Sequence, residues 1–173
     1  GAGISQESGI STFRDANGLW NNHKIEEVAS PEGFEKNPQL VLDFYNARRR
    51  QLDEVAPNEA HHLIAQLETK YNVTVITQNI DDLHEKAGST NVLHLHGELK
   101  KSRSSKNPNL ISDCTHDIKL GELASDGSQL RPHIVWFGEE VTEIEKAIAI
   151  TQSADLFVIV GTSMVVHPAA SLL

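Results

Sequence analysis

His94 and His96 stand two residues apart, and their spacing suggests chemistry more directly than any other pair in the chain. On a strand, positions i and i+2 point to one face, so the pair offers two imidazoles to one ligand. Three readings fit this spacing: a metal-binding HxH pair, a single general base, or histidines satisfied in a core or on the surface. His96 precedes Gly97 at the end of an apolar run, where an imidazole titrates near neutral pH and can accept a proton. Gln78, Asn79, Ile80 and Asp81 follow another apolar run. Their amides and carboxylate suit a polar ligand, and they suit equally a turn or a helix cap. Gly1-Ala2-Gly3-Ile4-Ser5 lets backbone N–H groups approach a phosphate. It is not a full GxGxxG, since position 6 is Gln and the next glycine is Gly9, so a plain glycine turn also fits. Phe13-Arg14 nearby adds a guanidinium suited to phosphate or carboxylate. Tyr45 and Arg48, three apart, share a helix face. A phenol and a guanidinium together can receive a small carboxylate, or they belong to a solvated basic face. Cys114 and His116 are too few for a metal site, and an isolated loop cysteine is the simpler reading.

The elements that must carry these residues follow from periodicity. Residues 1–20 read as a turn, a short helix and a loop. Residues 24–56 read as charged helix interrupted at Pro31 and Pro38, with apolar positions 40, 41, 44, 45 and 52 at helical spacing. Pro57 ends it, and Asn58 caps a helix running to Lys70. Residues 73–77 are β-branched and apolar, a buried parallel strand. A short helix over 81–87 stops at Gly88, and 92–96 forms a second strand. Residues 100–130 are polar, without a period, and read as a loop-rich insert. A third strand is predicted at 134–137, a helix at 141–153 and a fourth strand at 155–160 before Gly161-Thr162-Ser163. Strands alternating with helices predict an α/β, doubly wound parallel sheet of Rossmann type carrying a small inserted module. In such sheets ligands bind at the carboxyl ends of strands, and the distinctive residues fall there. The sheet domain is expected over 1–20, 60–97 and 133–173, with a small helical and loop module over 21–59 and 98–132.

Composition narrows the classes. The chain has 173 residues, 39% hydrophobic and 23% charged, enough for one core with an insert. The net charge is -9. The basic runs Arg48–Arg50 and Lys100–Lys106 sit in an acidic chain, so no nucleic-acid partner is expected. A single cysteine excludes an internal disulfide and a four-cysteine zinc site, and it fits a reducing cytoplasm. The longest apolar run, Leu156–Val160, is far below the roughly 20 residues a spanning helix needs, so no membrane partner is expected. A glycine-rich turn usually follows a buried strand, and residues 169–173 read as the start of a helix. Both termini are therefore expected to be truncated, which leaves an upstream targeting segment open.

Five segments together resemble the sirtuin (Sir2) family: GAGISQESGISTFRDANGLW (1–20), TQNIDDLHEKAGS (77–89), HLHGEL (94–99), PHIVWFGE (132–139) and GTSMVVHPAA (161–170). They span almost the whole chain in the family's order. The segment FYNARRR (44–50) resembles the class III subgroup that removes succinyl and malonyl groups from lysine. The resemblance implies an NAD-dependent protein-lysine deacylase yielding nicotinamide and O-acyl-ADP-ribose, with deacetylation as a second activity. It implies His96 as the general base. It implies NAD contacts from Gly1, Ala2, Gly3, Ser5, Phe13, Arg14 and Trp20, from Gln78, Asn79, Ile80 and Asp81, and from Gly161, Thr162 and Ser163. Tyr45 and Arg48 would bind the distal carboxylate of the acyl group. Val135, Trp136, Phe137 and Gly138 would line the acyl-lysine site and pair with the substrate backbone as an added strand. The partners implied are acyl-lysine proteins, met by a cytoplasmic monomer. The family's small module usually carries two CxxC pairs that bind zinc, and the insert here has only Cys114. No structural zinc is expected, the insert being held by packing and hydrogen bonds. Two other readings remain beside this one: a metal-dependent hydrolase using His84, His94 and His96, and an NAD-binding module without catalysis.

Overall fold

The computed structural model of the chain describes residues 1–12, 20 and 22–172. After two single-turn 3-10 helices, Ala2–Ile4 and Gln6–Ser8, come helices α1 (Ile25–Val28), α2 (Pro31–Lys36), α3 (Pro38–Glu54) and α4 (Glu59–Leu67). Strand β1 (Val75–Thr77), helix α5 (Leu83–Ala87) and strand β2 (Val92–His94) follow. Strands β3 (Gly97–Ser104), β4 (Ile111–Asp113) and β5 (Leu130–Ile134) lead to helix α6 (Ile144–Ser153) and a last 3-10 turn at Ala169–Leu172. The fold is α/β, with both parallel and antiparallel pairing. The chain divides into two compact units. One comprises Gly1–Phe13, Val55–His96 and Glu140–Leu173, and the other Arg14–Glu54 and Gly97–Glu139.

In the first unit β1 and β2 run parallel, Thr77 opposite His94. Leu93, Leu95, Ala147 and Ala169 form its core, with Ile76, Val141, Ile150 and Leu172 packed around them. Asn58 caps α4, its Oδ1 accepting from Ala60 N at 3.0 Å. His61 returns the favour, Nδ1 accepting from Asn58 N at 3.3 Å, so a histidine takes the Glu/Gln place of a capping box. Gly88 ends α5 in the left-handed conformation, φ +105°. His61 and His84 are buried edge to face, centroids 4.9 Å apart.

The second unit is built on α3, whose buried residues Val41, Leu42, Tyr45, Asn46, Arg49 and Leu52 recur at helical spacing. Pro31 and Pro38 stand at helix starts, where a missing N–H costs nothing. Leu42, Cys114 and Ile118 make the core, with Phe34 and Leu130 against it. The three arginines after α3's midpoint diverge. Arg49 is buried and donates to the carbonyls of Leu99 (2.8 Å) and His116 (3.1 Å). Arg50 pairs with Asp117, and Arg48 lies over the rings of Phe44 and Trp20.

Two sequence expectations are corrected and a third is refined. Residues 100–130 are mostly turn, bend and irregular backbone, as expected, but they also carry most of β3, all of β4 and the first residue of β5, and β3 pairs antiparallel with both β4 and β5. The buried positions of β3 are Gly97, Leu99, Ser102 and Ser104, with one aliphatic among them, so apolar alternation could not reveal the strand. The strand expected at 134–137 ends at Ile134 and belongs to this antiparallel sheet. Beyond it Trp136 N is taken by Glu139 and Phe137 N by Ala29 O, so no ladder continues. Residues 155–160 form no strand among the described residues; Gly1 N donates to Val160 O at 3.0 Å, and Leu156–Val160 are 40–78% exposed.

Gly97 has φ +81°, and a Cβ there would lie 2.0 Å from His133 O. Gly97→Ala combines left-handed strain with a backbone clash and should destabilise the fold by about 3 kcal/mol or more. Gly121, φ +89° with nothing within 4 Å, should lose only about 1 kcal/mol on the same change. Equal losses in denaturant unfolding would refute the clash argument. Burial pushes His84 and His133 down to about 4. Both are neutral when folded and free to charge when unfolded, so stability falls as pH drops from about 6.5 towards 4. For His84 the loss between about pH 6.5 and pH 5 should be roughly 2 kcal/mol, and His84→Asn should flatten that slope. An unchanged slope in unfolding curves at the two pH values would refute it.

Candidate active site

In the first unit, the residues expected at the cofactor converge on the segment after β1. Ser5 Oγ donates to Asp81 Oδ2 at 2.9 Å and accepts from Asn79 Nδ2 at 3.0 Å. Asn79 Nδ2 also lies 3.3 Å from Gly1 O. Gln78 Nε2 donates to Thr162 Oγ1 at 3.3 Å, and Gly3 N to Gly161 O at 2.8 Å. A Cβ on Gly161 would lie 2.4 Å from Ile4 N, and one on Gly3 2.9 Å from Gly161 O. The glycines are therefore needed for backbone to meet backbone. Ala2 and Ile80 are half-buried beside this knot and Ser163 is exposed. The turn feeds a 3-10 helix of three residues, so little helix dipole backs it. Asn58, read from sequence only as a cap, also donates to Ile4 O (2.7 Å) and Ser8 Oγ (3.0 Å), fastening the glycine loop to α4.

The two histidines act on the same segment. His96 Nδ1 lies 3.1 Å from Gln78 O and His94 Nδ1 2.8 Å from Asn79 O. Carbonyls only accept, so each Nδ1 carries a proton. In His96 this leaves Nε2 with a lone pair, and burial, only partly offset by that hydrogen bond, holds the imidazole below its ordinary range. It is a neutral base at pH 7. Asp81 is pushed up by burial, against the Ser5 hydroxyl and Leu83 N–H that favour its charged form. His84, buried, with Nδ1 unpaired, packs edge to face with His61. No group of three or more His, Cys, Asp and Glu able to hold a metal occurs among the described residues. The three-histidine hydrolase site is therefore not assembled.

In the second unit, Trp20 packs edge-on against Phe44 (4.9 Å) and Tyr45 (6.0 Å), grouping it with Tyr45 and Arg48. Arg48 is half-buried, its guanidinium 4.8 Å from the Phe44 centroid and 5.9 Å from that of Trp20. Burial depresses it and the neighbouring Tyr45 opposes that, yet an arginine stays charged. Tyr45 is fully buried and its Oη accepts from Trp136 Nε1 at 3.0 Å, leaving the phenolic proton available. Burial raises that phenol, so it stays neutral. Trp136 is buried, while Val135 is half-buried and Phe137 and Gly138 are exposed. Phe13 and Arg14 lie outside the described residues.

Sequence reasoning assigned no role to Glu139, Arg131 or Arg103. Glu139 accepts from Arg131 Nη1 (2.7 Å), Arg103 Nη2 (2.9 Å) and Trp136 N (2.8 Å). Arg131 also lies 3.2 Å from the Trp136 ring centroid. Burial would raise the Glu139 carboxyl, but the Arg131 hydrogen bond and both cations outweigh it and hold it ionised. The signal was available, as Glu139 closes the quoted PHIVWFGE segment, while nothing about Arg131's position marks it as buried.

Comparison with known proteins bears on this arrangement. A profile of the Sir2 family matches residues 1–168. A Helicobacter pylori protein named NAD-dependent protein deacylase is 63% identical over 172 residues, covering 99% of this chain and 75% of that protein. A solved Sir2 homologue in complex with ADP-ribose, a point mutant, superposes with a TM-score of 0.90 at 43% identity, over 99% of this chain and 71% of that one. A Sir2 homologue–NAD complex gives 0.88 at 44%, over 99% and 69%. With its backbone, its conserved segment order and these identities in agreement from residue 1 to residue 168, the chain belongs to the Sir2 family.

Proposed function

We propose that the chain is an NAD-dependent protein-lysine deacylase acting on succinyl-, malonyl- and acetyl-lysine. The observation that carries this is His96: neutral, oriented by Gln78 O through Nδ1, with Nε2 free as a base next to the Ser5–Asn79–Asp81 knot. Family membership and the relatives' name supply the class of reaction. The residues present fit a dinucleotide. Positions 1 and 3 carry no side chain, Ser5 and Asn79 offer polar groups, and burial damps the acidity of Asp81 that would repel phosphate. Bound NAD would supply the sugar carbon that accepts the acyl oxygen, with nicotinamide as leaving group. Around it, Ser5, Gln78, Asn79, Ile80 and Asp81 would orient the nicotinamide side, and Gly161, Thr162 and Ser163 the adenosine side. His96 Nε2 would take the proton from a sugar hydroxyl. Val135 to Gly138 would pair with the acyl-lysine backbone.

The acidic-acyl preference rests on Arg48 and Tyr45. A half-buried guanidinium above two aromatic rings is poorly solvated, so a carboxylate arriving there gains a charge-assisted bond, with the Tyr45 proton as a second donor. The zinc-less reading of the insert rests on Ser104. Its buried hydroxyl meets Asp126 Oδ2 (2.6 Å) and Ser128 Oγ (2.7 Å) and accepts from Lys106 N (3.0 Å) and Asn107 N (2.9 Å). Such a hydrogen-bonded knot would hold this part of the sheet in place of a metal. A cytoplasmic monomer acting on acyl-lysine proteins, without nucleic-acid or membrane partners, completes the proposal. The lone buried thiol of Cys114 suits a reducing compartment, and Arg48–Arg50 diverge instead of forming a phosphate-binding stripe.

Matched succinyl- and acetyl-lysine peptides, each with and without NAD and followed by mass spectrometry, test the reading. NAD-dependent O-acyl-ADP-ribose should form from both, faster from succinyl. His96→Ala should lower kcat by about 10²–10⁴-fold. Arg48→Met should raise KM for the succinyl peptide by about tenfold or more and leave acetyl turnover unchanged. Near-normal activity of the first variant, or equal losses on both substrates in the second, would sink the respective assignment. Metal analysis and light scattering should give a zinc-free monomer, and one zinc per chain or a dimer mass would overturn that part.

A further inference from the structure

His94 has a geometry that the proposed catalysis does not use. Its Nδ1 lies 2.8 Å from Asn79 O and its Nε2 2.8 Å from Glu85 Oε1. A carbonyl oxygen can only accept, and so can an ionised carboxylate. With Glu85 ionised, both ring nitrogens face acceptors, and this geometry is the one that an imidazolium paired with Glu85 satisfies. Glu85 supports this: burial would raise its carboxyl, but the His94 hydrogen bond and charge outweigh burial and keep it ionised. His96, two residues on, has one nitrogen on an acceptor and one free. Adjacent imidazoles thus hold different protonation states, set by what each nitrogen faces.

The contact falls on the loop that the proposed function places at NAD. Asn79 O belongs to the residue whose side chain reaches Ser5 and Gly1, and Asp81 lies two residues on. We propose that His94 is a positioning residue, a protonated clamp that fixes the 79–80 peptide and so aims Asn79 and Asp81, with Glu85 as its counter-ion. The inference rests on the reading of that loop as NAD-binding. Further titratable groups interact with His94, Asp81 and His84 among them. Asp81, after β1, favours its charged form, and His84, on α5, opposes it but is itself kept neutral by burial. If His94 loses one proton at alkaline pH, the remaining proton stays with the carboxylate, where the hydrogen bond is stronger. A bare Nδ1 then faces the Asn79 carbonyl and the clamp opens. In Glu85→Gln the amide can instead donate to a neutral Nε2, leaving Nδ1–H on Asn79.

Two measurements on the whole chain test this. Nitrogen-15 spectra of the imidazoles should show both nitrogens of His94 protonated at neutral pH, and a neutral tautomer would overturn the clamp. Calorimetry of NAD binding from about pH 6 to about pH 9.5 should show wild-type Kd rising about tenfold at the alkaline end. Glu85→Gln should stay flat, and His94→Ala should bind about tenfold more weakly throughout with no alkaline step. The same alkaline step in wild type and Glu85→Gln would place its origin elsewhere and overturn the role of His94. Failure of the wild type to bind NAD at any pH would overturn the function reading, and the positioning role with it, whatever the spectra show.

Discussion

Backbone carbonyls that leave a sheet still need donors, and the fate of three of them after β1 shapes the first unit. Buried carbonyls without partners are costly, so such groups are almost always paired. Thr77 O takes Leu95 N at 2.9 Å, the last backbone bond of the pair. Gln78 O and Asn79 O then turn to His96 and His94. The neighbouring strand hands over from backbone donors to side-chain donors without a gap. Because β1 and β2 are in a fixed register, Thr77 opposite His94, the imidazoles arrive at the right carbonyls. A one-residue slip would turn both away. The loop that carries Asn79 and Asp81 is thus shaped by strand pairing, and the glycine turn is attached to it through Ser5.

The second unit solves the same problem with charge. Past β5 the backbone of Trp136 and Phe137 has no strand to pair with, and Glu139 and Ala29 take its N–H groups. Glu139 can do this only because Arg131 and Arg103 hold its charge in a half-buried place. Removing such a carboxylate leaves buried cations without a partner, which costs far more than the pair contributes. Trp136 is then fixed on every side, by Glu139 at its N–H, Tyr45 at its indole, Arg131 over its face and Phe34 at its edge. That rigidity lets Phe137, one residue further on, stand exposed without collapsing inward.

Helices and capping were legible in the sequence because their signals are local. Pro31, Pro38, Asn58 and Gly88 mark boundaries that the structure keeps. The first parallel pair was legible from its β-branched run. The antiparallel sheet was not, because the buried positions of β3 hold one aliphatic, Leu99, beside Gly97, Ser102 and Ser104. Nor was the end of the third predicted strand, or the lack of a strand at 155–160 among the described residues, since an apolar run says nothing about whether a partner backbone lies beside it. In the candidate site, the HxH spacing drew attention to His94 and His96 but left open what each nitrogen meets. Those roles depend on which acceptors each nitrogen meets, and Gln78 O, Asn79 O and Glu85 are set by tertiary structure alone. Arg49 and Arg48 make the same point. They are neighbours in sequence with different surroundings, one donating to buried carbonyls and one lying over aromatic rings.

The placement of charge also explains why two histidines serve better than one. A base that must also hold its loop cannot do so with the nitrogen that takes the substrate proton; in the proposed role, His96 would use Nδ1 for orientation, on Gln78 O, and keep Nε2 for chemistry. Once Nε2 gains a proton, the ring becomes a cation in a desolvated place. Burial disfavours that state, which makes His96 a weaker base but speeds return of the proton. The loop must not shift while this charge comes and goes. A second imidazole whose charge is already balanced by Glu85 can hold the adjacent carbonyl throughout. Such a fixed ion pair, in place before any ligand arrives, costs no reorganisation when charge develops next to it.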